Sequence, residues 1–267
     1  MTFIQYIILS FIQAATEFLP VSSSGHLLLF KGIFNSENMP IIFDITVHFG
    51  SVIAIILFYR KKLVSLIKES FLEVKNKETE KNSSTFILYI LISTFITGLI
   101  YLLSGDIIEQ QFHNPGILKY TFLFTSILLI STKFNNKNKY DIIKIGLLLP
   151  VLVGIFQGIA LFPGISRSGS TIAIMLLLGI KGEDAAFFSF SIAIPAIIGG
   201  TLIDFLKMES LAFLSQNAFI LIISFAVSMI FSILFLNLLS RFLKKGQFWY
   251  FSIYTGILAV ISLLLFR

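Results

Sequence analysis

The chain of 267 residues contains no cysteine, which removes disulfides, Cys-ligated zinc, Fe–S clusters and thiol nucleophiles together. Charge is scarce: Asp, Glu, Lys and Arg make up 13% of the sequence, against about 25% in a soluble domain. Strand-like alternation of polar and apolar residues is missing too, so a porin-like barrel is excluded. What is there is apolar, with 56% hydrophobic residues, 30 of them Phe, and a mean hydropathy of +0.93. In lipid the backbone must satisfy its own hydrogen bonds, so this composition reads as an all-α polytopic membrane protein. The first residues carry no basic segment and Glu17 interrupts the first apolar stretch, so a signal peptide is not expected.

Crossing about 30 Å of hydrocarbon takes roughly 17 to 25 residues. Runs of that kind lie near 41–59, 86–103, 186–206, 217–240 and 247–266, with a shorter sixth at 117–131. Two more apolar regions, 1–34 and 145–180, are interrupted by Glu17-Phe-Leu-Pro-Val-Ser-Ser-Ser-Gly-His26 and Phe162-Pro-Gly-Ile-Ser-Arg-Ser-Gly-Ser-Thr171. Neither half of either region spans alone. Irregular backbone at membrane depth is tolerated where protein buries it or where it lines a wet cavity, so both read as re-entrant helical hairpins beside six transmembrane helices.

The net charge of +6 suggests nucleic acid until the basic residues are placed. Arg60, Lys61, Lys62, Lys68, Lys75, Lys77 and Lys81 fall in one connection and Lys133, Lys137, Lys139 and Lys144 in another. Lys181, Arg241, Lys244 and Lys245 complete fifteen on one side, against Lys31, Lys119, Lys207 and Arg267 on the other. The positive-inside bias then places both termini outside and explains the charge without a nucleic-acid partner. The interrupted regions also parallel each other: Phe11-Ile-Gln13, Pro20 and Ser-Ser-Ser-Gly match Phe156-Gln157, Pro163 and Ser-Arg-Ser-Gly. One membrane domain over 1–267 is therefore expected, built as inverted repeats over 1–131 and 132–267 whose loops meet near the midplane.

Several polar residues are out of place in lipid. Gln13 and Glu17, four apart, share one helix face, and a carboxylate at that depth is a functional candidate. The plainer alternative is that Glu17 only pairs with Arg167 to hold the hairpins together. Ser22, Ser23, Ser24, Gly25 and His26 supply hydroxyls, a turn and an imidazole, or simply cap a helix. In the second loop Ser166, Ser168, Ser170 and Thr171 surround Arg167 and Gly169 ahead of an apolar helix, an anion site by construction. Together these are parts for phosphoryl chemistry: a nucleophile, an acid/base, a phosphate clamp and a carboxylate able to hold a divalent cation. His48, four residues after Asp44, is equally read as a supporting group or as half of a structural pair.

Gln13-Ala-Ala-Thr-Glu17-Phe-Leu-Pro-Val-Ser-Ser-Ser-Gly-His26 and Pro163-Gly-Ile-Ser-Arg-Ser-Gly-Ser-Thr171 resemble the two signatures of the integral-membrane undecaprenyl-diphosphate phosphatases, the bacitracin-resistance family. The resemblance extends along the whole chain. It implies hydrolysis of undecaprenyl diphosphate to the monophosphate on the outer face of the cytoplasmic membrane, recycling the lipid carrier of cell-wall synthesis. It assigns Glu17 as catalytic or metal-binding carboxylate, Ser23 as nucleophile, His26 to acid/base work and Arg167 to the diphosphate. Gln13, Ser24, Gly25, Ser166, Ser168, Gly169 and Thr171 fall on substrate-contacting positions. A divalent cation, Mg²⁺ or Ca²⁺, is expected at Glu17, with Gln13 where other members carry a second Glu. The implied partners are the polyprenyl diphosphate and membrane lipids, with a homodimer left open. A polyprenyl-phosphate flippase is the competing reading, since broken helices in inverted repeats also build transporters; a carrier, however, needs no Ser23/His26/Glu17 constellation.

Overall fold

The computed structural model describes residues 2–33, 40–77, 80, 82–135, 140–206 and 212–266, with side chains left aside at 30–33 and 212–216. Lys81, Lys137, Lys139, Lys207 and Arg267, used in the charge count, lie outside the described residues, and the side chain of Lys31 is among those left aside. Ten α-helices account for the described chain: α1 Phe3–Phe18, α2 Ser23–Ile33, α3 Ile41–Lys75, α4 Asn82–Gln111, α5 Leu118–Ser131, α6 Leu148–Ile159, α7 Arg167–Leu177, α8 Gly182–Leu206, α9 Ala212–Lys244 and α10 Phe251–Leu265. Among the described residues, six segments are long and apolar enough to cross a membrane, carried by α3, α4, α5 with its flanking 3₁₀ turns, α8, α9 and α10. The protein is a multi-pass membrane protein.

The two interrupted regions fold as pairs of short helices, α1–α2 and α6–α7. At about 1.5 Å per residue, the 16 residues of α1 and the 11 or 12 of the other three are too short to cross the bilayer core of about 30 Å. Thr2 and Gln5 cap the start of α1 reciprocally. Pro20 and Ser22, the latter at φ +69°, turn the chain between α1 and α2; a left-handed serine is a strained choice. In the second pair Ser166 caps α7 by accepting from the Gly169 N–H at 3.0 Å. Ser22 repeats that contact with Gly25 at 3.3 Å.

The packing places these pairs. α1 lies along α9 as α6 lies along α4, while α3 packs on α8 and α5 on α10. Small residues set the closest approach: a Cβ on Gly50 of α3 would come within 2.9 Å of the Phe225 carbonyl, and Ser228 donates to the Val47 carbonyl at 2.7 Å. Such seams matter because lipid gives helix association little hydrophobic drive. Tyr59, Phe86, Phe187, Phe188 and Phe190 pack in stacked, tilted and edge-to-face pairs in and against the main core. The basic residues collect at one end. Lys62 lies over the Phe187 ring, Lys244 pairs with Glu183 at 2.9 Å and Lys133 lies 4.4 Å from the Trp249 ring centre. Lys119 reaches the Phe266 carbonyl elsewhere.

Two boundaries differ from expectation. α3 runs on to Lys75, well past residue 59, because Leu63 and Leu66 continue the packed stripe beyond the Arg60–Lys62 charges. α4 likewise runs on to Gln111, past residue 103, and takes in Asp106 and Glu109.

Candidate active site

The two turns meet. A Cβ on Gly25 would fall 2.9 Å from the Gly164 Cα and 2.6 Å from the Phe122 ring, and one on Gly169 would fall 3.2 Å from Pro20. Ser168 reaches the Leu19 carbonyl at 3.4 Å. Thr125 of α5 ties the second turn down, donating to the Gly164 carbonyl and accepting from the Ser166 N–H, both at 3.2 Å. Ser23 and Arg167 therefore open α2 and α7 at one place, where two helix N-termini favour negative charge.

Glu17 joins them. Its face of α1, shared with Tyr6, Leu9, Ser10 and Gln13, is buried. Oε2 accepts from the Ser23 hydroxyl at 2.8 Å and from the Gln13 amide at 3.0 Å, while Oε1 accepts from the Arg167 guanidinium at 2.5 Å. Glu17 and Arg167 thus pair, as the plainer reading expected, and the same carboxylate also holds a serine hydroxyl. A buried charge is sustained by such partners. Arg167 keeps a second guanidinium nitrogen, Nη1, with no hydrogen-bond partner among the described residues. The structure therefore brings Gln13, Glu17, Ser23 and Arg167 into one cluster.

The remaining predicted residues sit around it in other roles. His26 Nδ1 lies 2.8 Å from the Ser22 carbonyl and Nε2 2.7 Å from the Tyr254 hydroxyl, with the two rings parallel within 4°. Since a carbonyl only accepts, Nδ1 donates, leaving Nε2 of a neutral ring to accept from Tyr254. His26 thus clamps the left-handed Ser22, and the Ser23 hydroxyl turns to Glu17 instead. Ser24 Oγ lies 3.3 Å from Ser22 Oγ. Ser166 is spent on capping α7, and the Thr171 hydroxyl bonds Ser189 of α8 at 2.6 Å and the Arg167 carbonyl at 2.9 Å. Gly25 and Gly169 act by close approach.

Sequence reasoning gave His48 too little weight and passed over Tyr254. His48 Nδ1 lies 2.7 Å from Gln13 Nε2. A histidine inside an apolar span was the available signal for the first, whereas nothing in the sequence of α10 marks a tyrosine aimed at residue 26.

A divalent cation requires hard oxygen donors. Among the described residues no three His, Asp or Glu side chains come together. Glu17 does, however, share its helix face with the buried Gln13 Oε1, which has no hydrogen-bond partner among them. That pair fits a cation that completes its shell with substrate oxygens and water, as Mg²⁺ does at phosphate sites.

Residues 6–261 match the model of the family described as bacitracin resistance protein BacA. The chain is similar to an undecaprenyl-diphosphatase of Borrelia recurrentis, 39% identical with 98% of each chain covered. It is also similar to the undecaprenyl-diphosphatase of Methanosphaera stadtmanae, 34% identical over 97% of this chain and 96% of the relative. Its similarity to that of Carboxydothermus hydrogenoformans is 34% identity over 98% and 96%. The chain belongs to this family.

Proposed function

We propose that this member of the family hydrolyses undecaprenyl diphosphate to undecaprenyl phosphate and inorganic phosphate, the activity its relatives' names carry. One observation bears most of the weight: a single buried carboxylate, Glu17, accepts from a serine hydroxyl on one side and from an arginine on the other. A flippase needs the arginine but has no use for a serine held on a carboxylate.

In this reading the diphosphate binds where α2 and α7 begin and takes up Arg167, whose planar fork suits phosphate oxygens. Ser23 Oγ attacks the terminal phosphorus as its proton passes to Glu17 Oε2; the phosphoanhydride bond breaks, and undecaprenyl phosphate leaves with that proton, which returns Glu17 to its carboxylate form. Water then attacks the phosphoserine with Glu17 as base, releasing phosphate and restoring the serine. Arg167 and the two helix N-termini oppose the charge that develops on the transferring group. His26 and Tyr254 keep Ser22 in its turn, which aims Ser23. Glu17 and Gln13 would hold the Mg²⁺ or Ca²⁺, and the bound ion would neutralise diphosphate charge that one arginine leaves uncompensated.

We further read α1–α2 and α6–α7 as re-entrant hairpins entering from opposite faces, the broken elements of inverted repeats. Exchanging α1–α5 with α6–α10 maps the α1–α9 seam onto α6–α4 and the α3–α8 and α5–α10 pairs onto themselves, which supports a twofold relation. The basic end then faces the cytoplasm of the bacterial inner membrane and the site opens outward, where lipid-carrier recycling and bacitracin resistance require it. Phosphate release from undecaprenyl diphosphate by the purified protein in detergent tests the chemistry; a folded, inactive protein would defeat it. Single cysteines test the orientation without background. Asn76→Cys should be shielded from an impermeant thiol reagent in intact cells and Asn114→Cys labelled, and the reverse pattern would invert the arrangement.

A further inference from the structure

We propose that His48 is a positioning residue for this reaction, fixing the Gln13 amide so that Gln13 holds Glu17 against Ser23. The proposal rests on the hydrolase reading above and concerns a contact that no signature motif contains.

The chemistry of the contact leaves one arrangement. Glu17, facing the Arg167 guanidinium, is a carboxylate and only accepts. The part of Gln13 that meets Glu17 Oε2 at 3.0 Å must therefore be the amide NH₂; the flipped amide would set its carbonyl oxygen against a negative charge. That NH₂ carries two hydrogens. The second points to His48 Nδ1 at 2.7 Å, which must then be the bare nitrogen of the ring, with its proton on Nε2. One acceptor would leave the amide free to swing about its side-chain torsions. Two acceptors on different helices, Glu17 on α1 and His48 on α3, fix its plane.

The need for such a clamp shows in what Gln13 forgoes. Its Oε1 is buried with no hydrogen-bond partner among the described residues; holding the NH₂ on two acceptors keeps that oxygen available to the cation proposed above, where an unrestrained glutamine would rotate it toward any nearby donor. Glu17 in turn must present Oε2 to Ser23 within a few tenths of an ångström for proton transfer. Among the described residues His48 hydrogen-bonds Gln13 and none of Glu17, Ser23 and Arg167. It acts through Gln13, and its contribution lies in orientation.

The test is steady-state phosphate release from undecaprenyl diphosphate by the full-length protein in detergent, for His48→Phe, His48→Asn, Gln13→Met and the double variant His48→Phe/Gln13→Met. Phe keeps a ring of similar size but removes the acceptor, whereas the Asn side-chain oxygen stands close to the position of Nδ1 and restores it. kcat should fall by about 10-fold in His48→Phe with KM within about twofold, and His48→Asn should return to within about threefold of wild type. The double variant should be no slower than Gln13→Met alone, because residues acting through one another are not additive. Equal losses in the Phe and Asn variants at wild-type melting temperature would overturn the proposal, as would additive losses in the double variant. If His48→Phe does not fold, the Asn and Gln13→Met variants still decide it: a kcat loss in His48→Asn matching that of Gln13→Met would be fatal. A wild-type protein that released no phosphate would remove the hydrolase reading by itself. The same cycle run on melting temperature would then judge the pairing, with additivity counting against it.

Discussion

The α1–α2 and α6–α7 pairs are built on one plan and carry different chemistry. Setting Gln13 on Gln157 sets Ser22 on Ser166, Ser23 on Arg167 and Gly25 on Gly169, and in both pairs the serine caps the second helix on the glycine N–H. The pairs diverge at the first residue of the second helix, Ser23 against Arg167, and around the end of the first helix. Glu17 has Leu161 as its counterpart, and where Gln13 reaches Glu17 and His48, Gln157 donates to Thr97 at 3.0 Å and stops there. In the proposed mechanism base and nucleophile come from one pair and the cation from the other. Close approach of the two turns makes one site from two incomplete ones. Two like helix pairs thus supply the geometry, and the differences between them supply the chemistry proposed for the site.

That division is open to attack at graded strength. The largest effect should come from Glu17→Gln, which removes the base and the shared anchor of Ser23 and Arg167: kcat should drop by about 10³-fold, within the usual range for a lost general base. Leu161→Gln, its counterpart, should stay within about twofold in the same phosphate-release assay. Comparable losses at both positions would show that the second pair also carries chemistry.

Gly25→Ala should come next, through stability. Its Cβ would press on the Gly164 backbone and the Phe122 ring, and such overpacking costs about 1–3 kcal/mol. Gly169→Ala meets chiefly the Ser166 side chain and should cost less, a difference readable in melting temperature in detergent. Arg167→Lys keeps the charge and loses the planar fork, so turnover should fall 10-fold or more, about 1.4 kcal/mol. Turnover near wild type would take Arg167 out of the diphosphate site. The smallest change is expected for Gln157→Leu, which gives up one neutral hydrogen bond worth about 1 kcal/mol and also removes a buried, unbonded carbonyl oxygen. Melting should shift slightly and kcat should hold, whereas a loss of kcat would contradict the assignment of chemistry to the first pair.

Much of this was legible beforehand. Run length separated the six spanning segments from the two interrupted regions, and helical spacing put Gln13 and Glu17 on one face, which the structure buries. The charge run at Arg60–Lys62 misled the reading of α3, since a helix needs only its own backbone bonds to continue past lipid and Leu63 and Leu66 still had a surface to meet. His26 was legible as a conspicuous imidazole, but its partners were not. They are Ser22, one turn away, and Tyr254, which only the packing of α10 brings near.

By itself, then, the sequence determined the solvent, the helical class, the places where helices break and the residue types available for phosphoryl chemistry. Hydropathy and 3.6-residue periodicity are local properties, and each of those conclusions follows from local properties. Tertiary structure alone decided which groups touch: that Ser23 donates to Glu17 while His26 is held elsewhere, that Arg167 reaches the same carboxylate from the opposite half of the chain, and that His48 bonds Gln13. Contacts of that kind depend on where helices cross, and crossings are set by small residues such as Gly25 and Gly50 meeting distant backbone, a long-range match that periodicity does not encode.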